Sequence, residues 1–344
     1  MVQKQRILYW DVIKAFAIFL VVWGHSMQFL THDSFIWNSP INSFIVTFHM
    51  PLFMMVSGYF AISVLKGDVK STILSKFRQL LVPSVTTYFT VGVCLLVLRR
   101  KEWLEGVIGI LSYCASSFWY LKALFLFYIL SVLFVRLRRK NKYSVLLFFL
   151  LLFLPPFILD YVHAISTLPY FLIGLWIRHL GGQFWKYKKR VLLISVLIYF
   201  LFVFLFNIQD YNMYTNPFGW EIEPFGRFVI RTIIGISGSH VALILIKVIC
   251  DRNKGGLLEK QIAKVGTYTL GIYIFQYEMF RFGNMYLVGF YDRLNVFKDT
   301  IYERFFFDIG LCLPSSIVVL LISILIITIL RKNKYTRLIF LGEK

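Results

Sequence analysis

The chain alternates between long apolar runs and short segments rich in lysine and arginine. An α-helix needs about 20 mainly apolar residues to cross the ~30 Å hydrocarbon core of a bilayer, and most of the runs have that length. No linker, low-complexity tract or internal repeat separates them, so the predicted fold is all-α: one polytopic membrane helix bundle over residues 1–344. The pattern predicts ten membrane-spanning helices, at 7–30, 41–65, 79–98, 118–135, 143–159, 167–177, 191–208, 227–246, 265–282 and 308–330.

The amino-acid composition agrees with a chain surrounded by lipid. Hydrophobic residues make up 58% of the chain and charged residues 16%, whereas soluble domains have about 45–50% and about 25%. The mean hydropathy is +0.71, and phenylalanine alone accounts for 36 residues. These values exclude an ordinary cytosolic domain and a disordered chain, and they make the lipid bilayer a predicted partner.

The distribution of charge predicts how the helices are oriented. The chain has 37 lysines and arginines against 17 acidic residues, a net charge of +20. The basic residues concentrate in short connecting segments, as they do in cytoplasmic loops, so both termini are predicted to be cytoplasmic. Arg99–Lys101 departs from this rule, and the following Trp103–Ser117 is expected to be interfacial or re-entrant. The basic clusters are Lys66–Arg78, Arg136–Lys142, Arg178–Arg190, Lys247–Lys264 and Arg331–Lys344.

The sequence also argues against nucleic-acid binding, a metal site and a disulfide framework. Basic residues that bind nucleic acid cover a polar folded domain, which this pattern does not contain, so nucleic acid is not a predicted partner. The four cysteines are dispersed without CxxC spacing, so neither a metal site nor a disulfide framework is predicted. The oligomeric state is left open, and a homo-oligomer is compatible with the sequence.

Ionisable side chains inside the predicted helices carry the most information, because each costs roughly 2.5–3.5 kcal/mol to insert. On the first helix, Lys14 and His25 are eleven residues apart, which returns to nearly the same helix face about 16 Å further along. Asp11 lies one turn before Lys14 on this face, and the two can equally form a simple ion pair at the helix start. His49 on the second helix has about the same predicted depth as His25. The two histidines are therefore predicted to form a polar centre in the outer half of the membrane.

Four more charged residues are expected to converge with the histidines on one cavity open to the outside: Lys122, Arg231, Glu278 and Arg281. Structural alternatives stay open for these assignments. The side chains of Lys122 and Arg281 are long enough to extend to lipid headgroups. Glu278 and Arg281 are spaced for an ion pair on one helix, and His49 is also compatible with a hydrogen-bonded core histidine.

Several motifs stand at fixed places along the chain. The first helix has a basic residue, ten residues and a histidine, Lys14-x10-His25, and the second has Phe48-His49-Met50-Pro51-Leu52-Phe53 and then Ser57-Gly58-Tyr59. Weaker landmarks follow, namely Trp119-Tyr120-Leu121, Pro169-Tyr170-Phe171-Leu172-Ile173-Gly174 and Gly266-x2-Thr269-x2-Ile272-Tyr273. Over essentially its whole length the chain resembles the integral membrane acyltransferase type 3 family. Gln276 stands where many members have a histidine, which puts a proton-transfer role at that position in doubt.

The resemblance implies a membrane O-acyltransferase of a bacterial plasma membrane. Such an enzyme moves an acyl group, usually acetyl from cytoplasmic acetyl-CoA as cosubstrate, to a sugar hydroxyl of a surface polysaccharide or its lipid-linked precursor, with no metal. His25 is then expected to be the general base or a transient acyl carrier, His49 to orient it or stabilise the oxyanion, and Asp11 to fix Lys14. The expected donor contacts are Lys14, Arg231 and Lys122, and the expected acceptor contacts are Glu278, Arg281, Trp119 and Tyr120.

An exporter or flippase of a glycan intermediate, without acyl-transfer chemistry, is the alternative that the sequence leaves open. Such a transporter would also have many apolar helices and buried charges. It predicts inverted internal repeats, which the sequence does not show. It would also tolerate loss of His25 better than loss of the basic residues that line its cavity.

Overall fold

The structure is a computed structural model, and it describes residues 7–30, 39–65, 68–99, 118–140, 161–206, 222–253, 255–293 and 301–343. Within these ranges every regular element is a helix, which confirms the all-α prediction. The predicted span 143–159 and the segment Trp103–Ser117 lie outside the described residues, so what the sequence predicts for them stays a prediction.

The helices, numbered in chain order, are α1 (Leu8–Leu30), α2 (Pro40–Leu65), α3 (Val69–Lys76), α4 (Val82–Arg99), α5 (Trp119–Lys140), α6 (Tyr161–Leu180), α7 (Gly182–Lys186), α8 (Lys188–Leu205), α9 (Ile222–Asn253), α10 (Leu257–Gly266), α11 (Thr269–Arg293), α12 (Ile301–Phe307), α13 (Leu313–Leu330) and α14 (Lys334–Leu341). Two π-helical segments, Phe77–Leu81 and Asp308–Cys312, lead directly into α4 and α13. Each ends two residues before a proline, Pro83 or Pro314. Because proline has no backbone N–H, the carbonyl four residues earlier loses its α-helical donor inside the π segment, which accounts for the wider turn.

Four described helices are long and apolar enough to cross a membrane, namely Leu8–Leu30, Pro40–Ile62, Phe225–Asn253 and Tyr302–Leu330. A shorter apolar helix, Trp119–Leu133, adds to them. The predicted run 167–177 lies inside the longer α6, whereas the run 265–282 is divided between α10 and α11. The described part of the chain is thus a helix bundle that includes four helices able to cross a membrane, and the count of ten spans stays a prediction.

Helix α1 lies inside the bundle and contacts α2, α9, α10, α11 and α13. Its side chains Ile13, Ile18 and Val22 are completely buried. Because α1 also carries the stripe of ionisable residues found in the sequence, these groups are surrounded by protein rather than by lipid alone. This is the arrangement that a membrane protein needs in order to keep charged side chains at depth.

Helices α2 and α6 approach each other closely at two glycines. A Cβ atom on Gly58 would collide with the backbone of Phe171, and one on Gly174 would collide with the backbone of Met55. Small residues at such a contact let two membrane helices pack backbone against backbone. This contact positions α2, the helix that carries His49.

One end of the bundle collects basic segments that are far apart in the sequence. Arg78, Thr267 and Arg331 line one cavity, and this end of the bundle is called the basic end below. Helix α10 packs there on the first turns of α1, where a Cβ on Gly266 would collide with the backbone of Asp11. Such a common position is what the charge pattern predicts for segments on one side of a membrane.

Candidate active site

His25 of α1 contacts Gln276 of α11. The His25 Nδ1 atom lies 3.0 Å from Gln276 Oε1 and 2.7 Å from Gln276 Nε2. The Gln276 side chain is completely buried, and its Nε2 also donates to the Tyr273 carbonyl at 3.3 Å. Since the amide has both a donor and an acceptor group, it can accept a hydrogen bond from His25 Nδ1–H or donate one to a bare Nδ1. The first arrangement leaves His25 Nε2 with a free lone pair, as a base requires.

Aromatic rings enclose this contact. The ring of Tyr277 meets His25 edge-on with 5.5 Å between centroids, and the ring of Phe29 does so at 6.3 Å. Phe118 lies 6.1 Å from the rings of both Tyr273 and Tyr277. Apolar walls of this kind keep the local dielectric constant low, so the hydrogen bond between His25 and Gln276 is stronger than it would be in water.

His49 of α2 is held in one tautomer. Its Nδ1 atom lies 2.8 Å from the carbonyl oxygen of Ile45, one turn earlier in the same helix. A carbonyl only accepts hydrogen bonds, so the proton is on Nδ1 and Nε2 carries a lone pair. The neutral His49 ring therefore presents an acceptor to its surroundings and no second donor.

Arg231 of α9 lies near His49. Its side chain is buried, and Nη2 donates to the carbonyl of Val46 in α2, next to the residue that binds His49. His49 interacts electrostatically with both His25 and Arg231. The Tyr170 hydroxyl donates to the backbone carbonyl of Arg231 at 3.2 Å and so links α6 to this part of α9. The structure thus brings three of the predicted site residues together.

Lys14 lies on α1 about 16 Å from His25 towards the basic end, by the helical rise per residue. Its Nζ is 2.5 Å from Oδ1 of the buried Asp11, so the ion pair that the spacing allowed is present. Lys14 lines a cavity of about 160 Å³. Tyr120 and Ser57 lie on its wall, with 3.0 Å between their hydroxyl oxygens. The described lining is mainly apolar: Met50, Phe53, Val56, Leu80, Leu121, Leu124, Leu270, with Thr269 and Tyr273.

Tyr273 connects the two parts of the site, and the sequence analysis assigned it no role. Its side chain lines the Lys14 cavity, and its backbone carbonyl accepts the hydrogen bond from Gln276, the partner of His25. The spacing of Tyr273, Gln276 and Tyr277 on one face of α11 is the signal in the sequence that points to this role.

The remaining predicted site residues lie in other places. Glu278 and Arg281 form an ion pair at 3.3 Å, and Arg281 also donates to the Tyr88 hydroxyl at 2.9 Å. The described lining of the Lys14 cavity includes neither Lys122 nor Trp119. Substrate contacts at these four positions of α5 and α11 stay predictions.

Apolar helices packed around α1, which carries ionisable groups along its length, define a membrane protein with a polar centre inside the bundle. The family model described as an acyltransferase domain, of the acyltransferase type 3 kind, matches residues 7–330. The chain therefore belongs to the acyltransferase type 3 family.

Two curated relatives are both named nodulation protein NolL. The protein of Mesorhizobium japonicum is 26% identical over 213 residues, which cover 58% of this chain and 57% of the relative. The protein of Sinorhizobium fredii is 28% identical over 178 residues, which cover 50% of this chain and 48% of the relative. The chain thus spans about half the length of the curated relatives it matches. No solved structure matches it.

Proposed function

We propose that this protein is a membrane O-acyltransferase that moves an acyl group, with acetyl as the first choice, from acetyl-CoA to a sugar hydroxyl. The acceptor is a cell-surface polysaccharide or its lipid-linked precursor. Two features of α1 carry the proposal in a chain of this family: His25 contacts Gln276, and Lys14 on the same helix lines a cavity. Helix α1 then carries both a base for the acceptor hydroxyl, His25, and a cation for the donor, Lys14.

His25 is the general base of the proposed reaction. Its Nε2 takes the proton of the sugar hydroxyl while the hydroxyl oxygen attacks the thioester carbon, and the carbonyl oxygen becomes an oxyanion. Collapse of this intermediate breaks the C–S bond, and the leaving thiolate takes the proton back from the His25 imidazolium. Gln276 Oε1 accepts from Nδ1–H in both the neutral and the protonated ring, so the ring keeps one orientation through both steps.

His49 and Arg231 have different parts in this proposal. The neutral His49 ring has its proton on Nδ1, so its Nε2 accepts a hydrogen bond from the acceptor sugar rather than donating one to the oxyanion. Arg231, buried and close enough to interact with His49, supplies the positive charge that stabilises the oxyanion. This assignment replaces the expectation that His49 itself stabilises the oxyanion.

Lys14 binds the donor. Its ammonium group, held by Asp11, donates to the carbonyl oxygens of the pantetheine arm inside the cavity that it lines. The separation of about 16 Å between Lys14 and His25 suits an extended arm that enters from the basic end and presents the thioester near His25. The remaining parts of the proposal are ten spans with both termini in the cytoplasm and a bacterial plasma membrane as the location.

The proposal is tested by measuring the O-acetyl content of surface glycans in a deletion strain. The strain is complemented with the wild type, with His25→Ala or with His179→Ala, a matched control at an exposed histidine near the end of α6. Amounts of each protein in the membrane are made equal. We expect acetylation to return with the wild type and the control, and to stay absent with His25→Ala.

Two other outcomes would contradict the proposal in different ways. Full acetylation with His25→Ala would remove His25 from the chemistry. Unchanged acetylation in the deletion strain, together with glycan trapped inside the cell, would favour the exporter instead.

A further inference from the structure

A second cavity, of about 340 Å³, lies at the basic end of the bundle. It is formed by the π-helical segment before α4, the start of α11, the end of α13 and the segment after α14. The polar residues that line it are Arg78, Gln79, Thr267, Tyr268, Arg331 and Glu343.

The charges in this cavity are arranged as in an anion-binding site that holds a carboxylate. Glu343 Oε2 accepts from Arg331 Nε at 3.0 Å, and Glu343 Oε1 accepts from Arg331 Nη2 at 2.5 Å. The Arg331 guanidinium lies over the ring of Tyr268 at 4.3 Å. In the described part of the chain, Arg78 Nε is buried without a hydrogen-bond partner. The cavity is therefore lined by two guanidinium groups and one carboxylate, and the carboxylate is bound by Arg331.

The backbone around Glu343 is fixed to the wall of the cavity. Helix α14 is capped at its start by Asn333, whose side chain accepts from the backbone N–H of Tyr335, and at its end by Gly342. Gly342 has a φ of 63°, and a Cβ there would collide with the backbone of Arg78 and Gln79. Gly342 thus packs directly on the π-helical segment and places Glu343 beside Arg331.

This cavity adjoins the cavity that contains Lys14. Leu80 and Leu270 belong to the walls of both. A ligand with an anionic group at one end and an extended arm can therefore place the anion between Arg78 and Arg331. Its arm then passes Leu80 and Leu270 towards Lys14.

We propose that the cavity at the basic end binds the phosphate groups of a ligand, and that Glu343 is a built-in competitor which the phosphate displaces from Arg331. A guanidinium binds phosphate in the same two-point geometry as carboxylate, and phosphate carries more negative charge. Both partners of the existing pair are partly exposed, at 28% for Arg331 and 37% for Glu343, so the pair is held weakly enough to exchange. Resting on the proposed function, the ligand is the phosphorylated end of the acyl-CoA donor. An anionic phospholipid offers the same chemistry, so the test separates the two sources.

The test measures binding of coenzyme A to the full chain, purified in an uncharged detergent, by isothermal titration calorimetry. We expect Glu343→Gln to bind coenzyme A several-fold more tightly, because the competing charge is lost while the shape is kept. Arg331→Gln and Arg78→Gln should each bind about tenfold or more weakly, as expected for loss of a charged hydrogen bond. Lys332→Gln removes an exposed positive charge at the same end and should change affinity little.

Further probes identify the ligand and check the variants. Pantetheine, which has no phosphate, should bind all variants equally, and Arg331→Lys should retain only part of the affinity because it loses the two-point contact. A variant is compared only if its thermal unfolding midpoint equals that of the wild type. Phosphatidylglycerol in nanodiscs replaces coenzyme A in a parallel series. If the variants rank in this order of affinity for the lipid but not for coenzyme A, the phosphate site is supported and the lipid is its ligand.

Two outcomes separate this proposal from the proposed function. Coenzyme A binding that is unaffected by Glu343→Gln and by both arginine variants would overturn the phosphate site, even if the wild type acetylates glycans. A wild type that restores no acetylation, yet binds coenzyme A in the expected order of variants, would keep the phosphate site and overturn the proposed function.

Discussion

His25 and His49 each have a hydrogen bond at Nδ1, and the two bonds restrict the ring tautomer to different degrees. The Ile45 carbonyl can only accept, so it sets the tautomer of His49 permanently. The Gln276 amide can accept or donate, so it supports His25 in whichever protonation state the reaction needs. A glutamine can therefore hold the His25 ring in either tautomer without being a proton carrier itself.

Gln276→Leu tests this role of the amide. We expect at least about a tenfold lower rate of acyl transfer, because the Nδ1 proton of His25 is left buried without an acceptor. Gln276→His offers a ring nitrogen to the same atom and should keep most of the rate. The measurement is acetyl transfer in membranes with equal amounts of protein. Gln183→Leu, at an exposed glutamine of α7, is the control, and a wild-type rate for Gln276→Leu would contradict the assignment.

Contacts at this scale were predictable only where they are local. Asp11 pairs with Lys14, and Glu278 with Arg281, as the three-residue spacing on one helix predicts. The contact of His25 with Gln276 joins residues 251 positions apart and depends on how α11 packs against α1. Periodicity within one helix contains no information about that packing.

The ends of two helices differ from the ends of the apolar runs that predicted them. The predicted run 265–282 averages over the break at Thr267–Tyr268, because both residues are uncharged and leave the mean hydropathy high. The run 167–177 was too short, because α6 continues through polar residues such as Ser166 that are buried by protein. Hydropathy cannot distinguish such residues from a loop in water.

The contact between α2 and α6 gives a prediction at the scale of elements. Gly174→Ala should lower the thermal unfolding midpoint by several degrees, because its methyl group collides with the Met55 backbone, and overpacking costs about 1–3 kcal/mol. The control is Gly226→Ala in α9, where the added Cβ meets nothing within 4 Å. Equal midpoints for the two variants in detergent would show that the close approach does not hold the helices together.

At the scale of the whole molecule, charge and apolar surface together define a membrane orientation. Leu197 and Phe204 of α8 and Leu321 and Leu325 of α13 are each more than half exposed, as side chains that face lipid are. The basic end brings together arginines from two separate parts of the chain, Arg78 and Arg331. The arrangement of these segments relative to one another follows from the structure, and the positive-inside rule predicts that they face the cytoplasm.

Cysteine labelling tests that orientation. In a background in which the four native cysteines are replaced, Lys260→Cys on the exposed face of α10 should react with a membrane-impermeant maleimide only after the membrane is opened. Ser34→Cys, in the sequence between α1 and α2, should react in intact cells. The reverse pattern would mean that the basic end faces outwards and that the proposed entry side for the donor is wrong.

The apolar lining of the Lys14 cavity also matters for the energy supply of the cell. A continuous file of water from the basic end to His25 would conduct protons and discharge the voltage across the membrane. The side chains of Met50, Phe53 and Leu124 form no hydrogen bonds with water. Cavities with mainly apolar walls hold no ordered water when no ligand is bound. In the proposed reaction, the apolar walls that accept the arm of the donor also insulate the membrane electrically between turnovers, so that a path opens for an acyl group without one for ions.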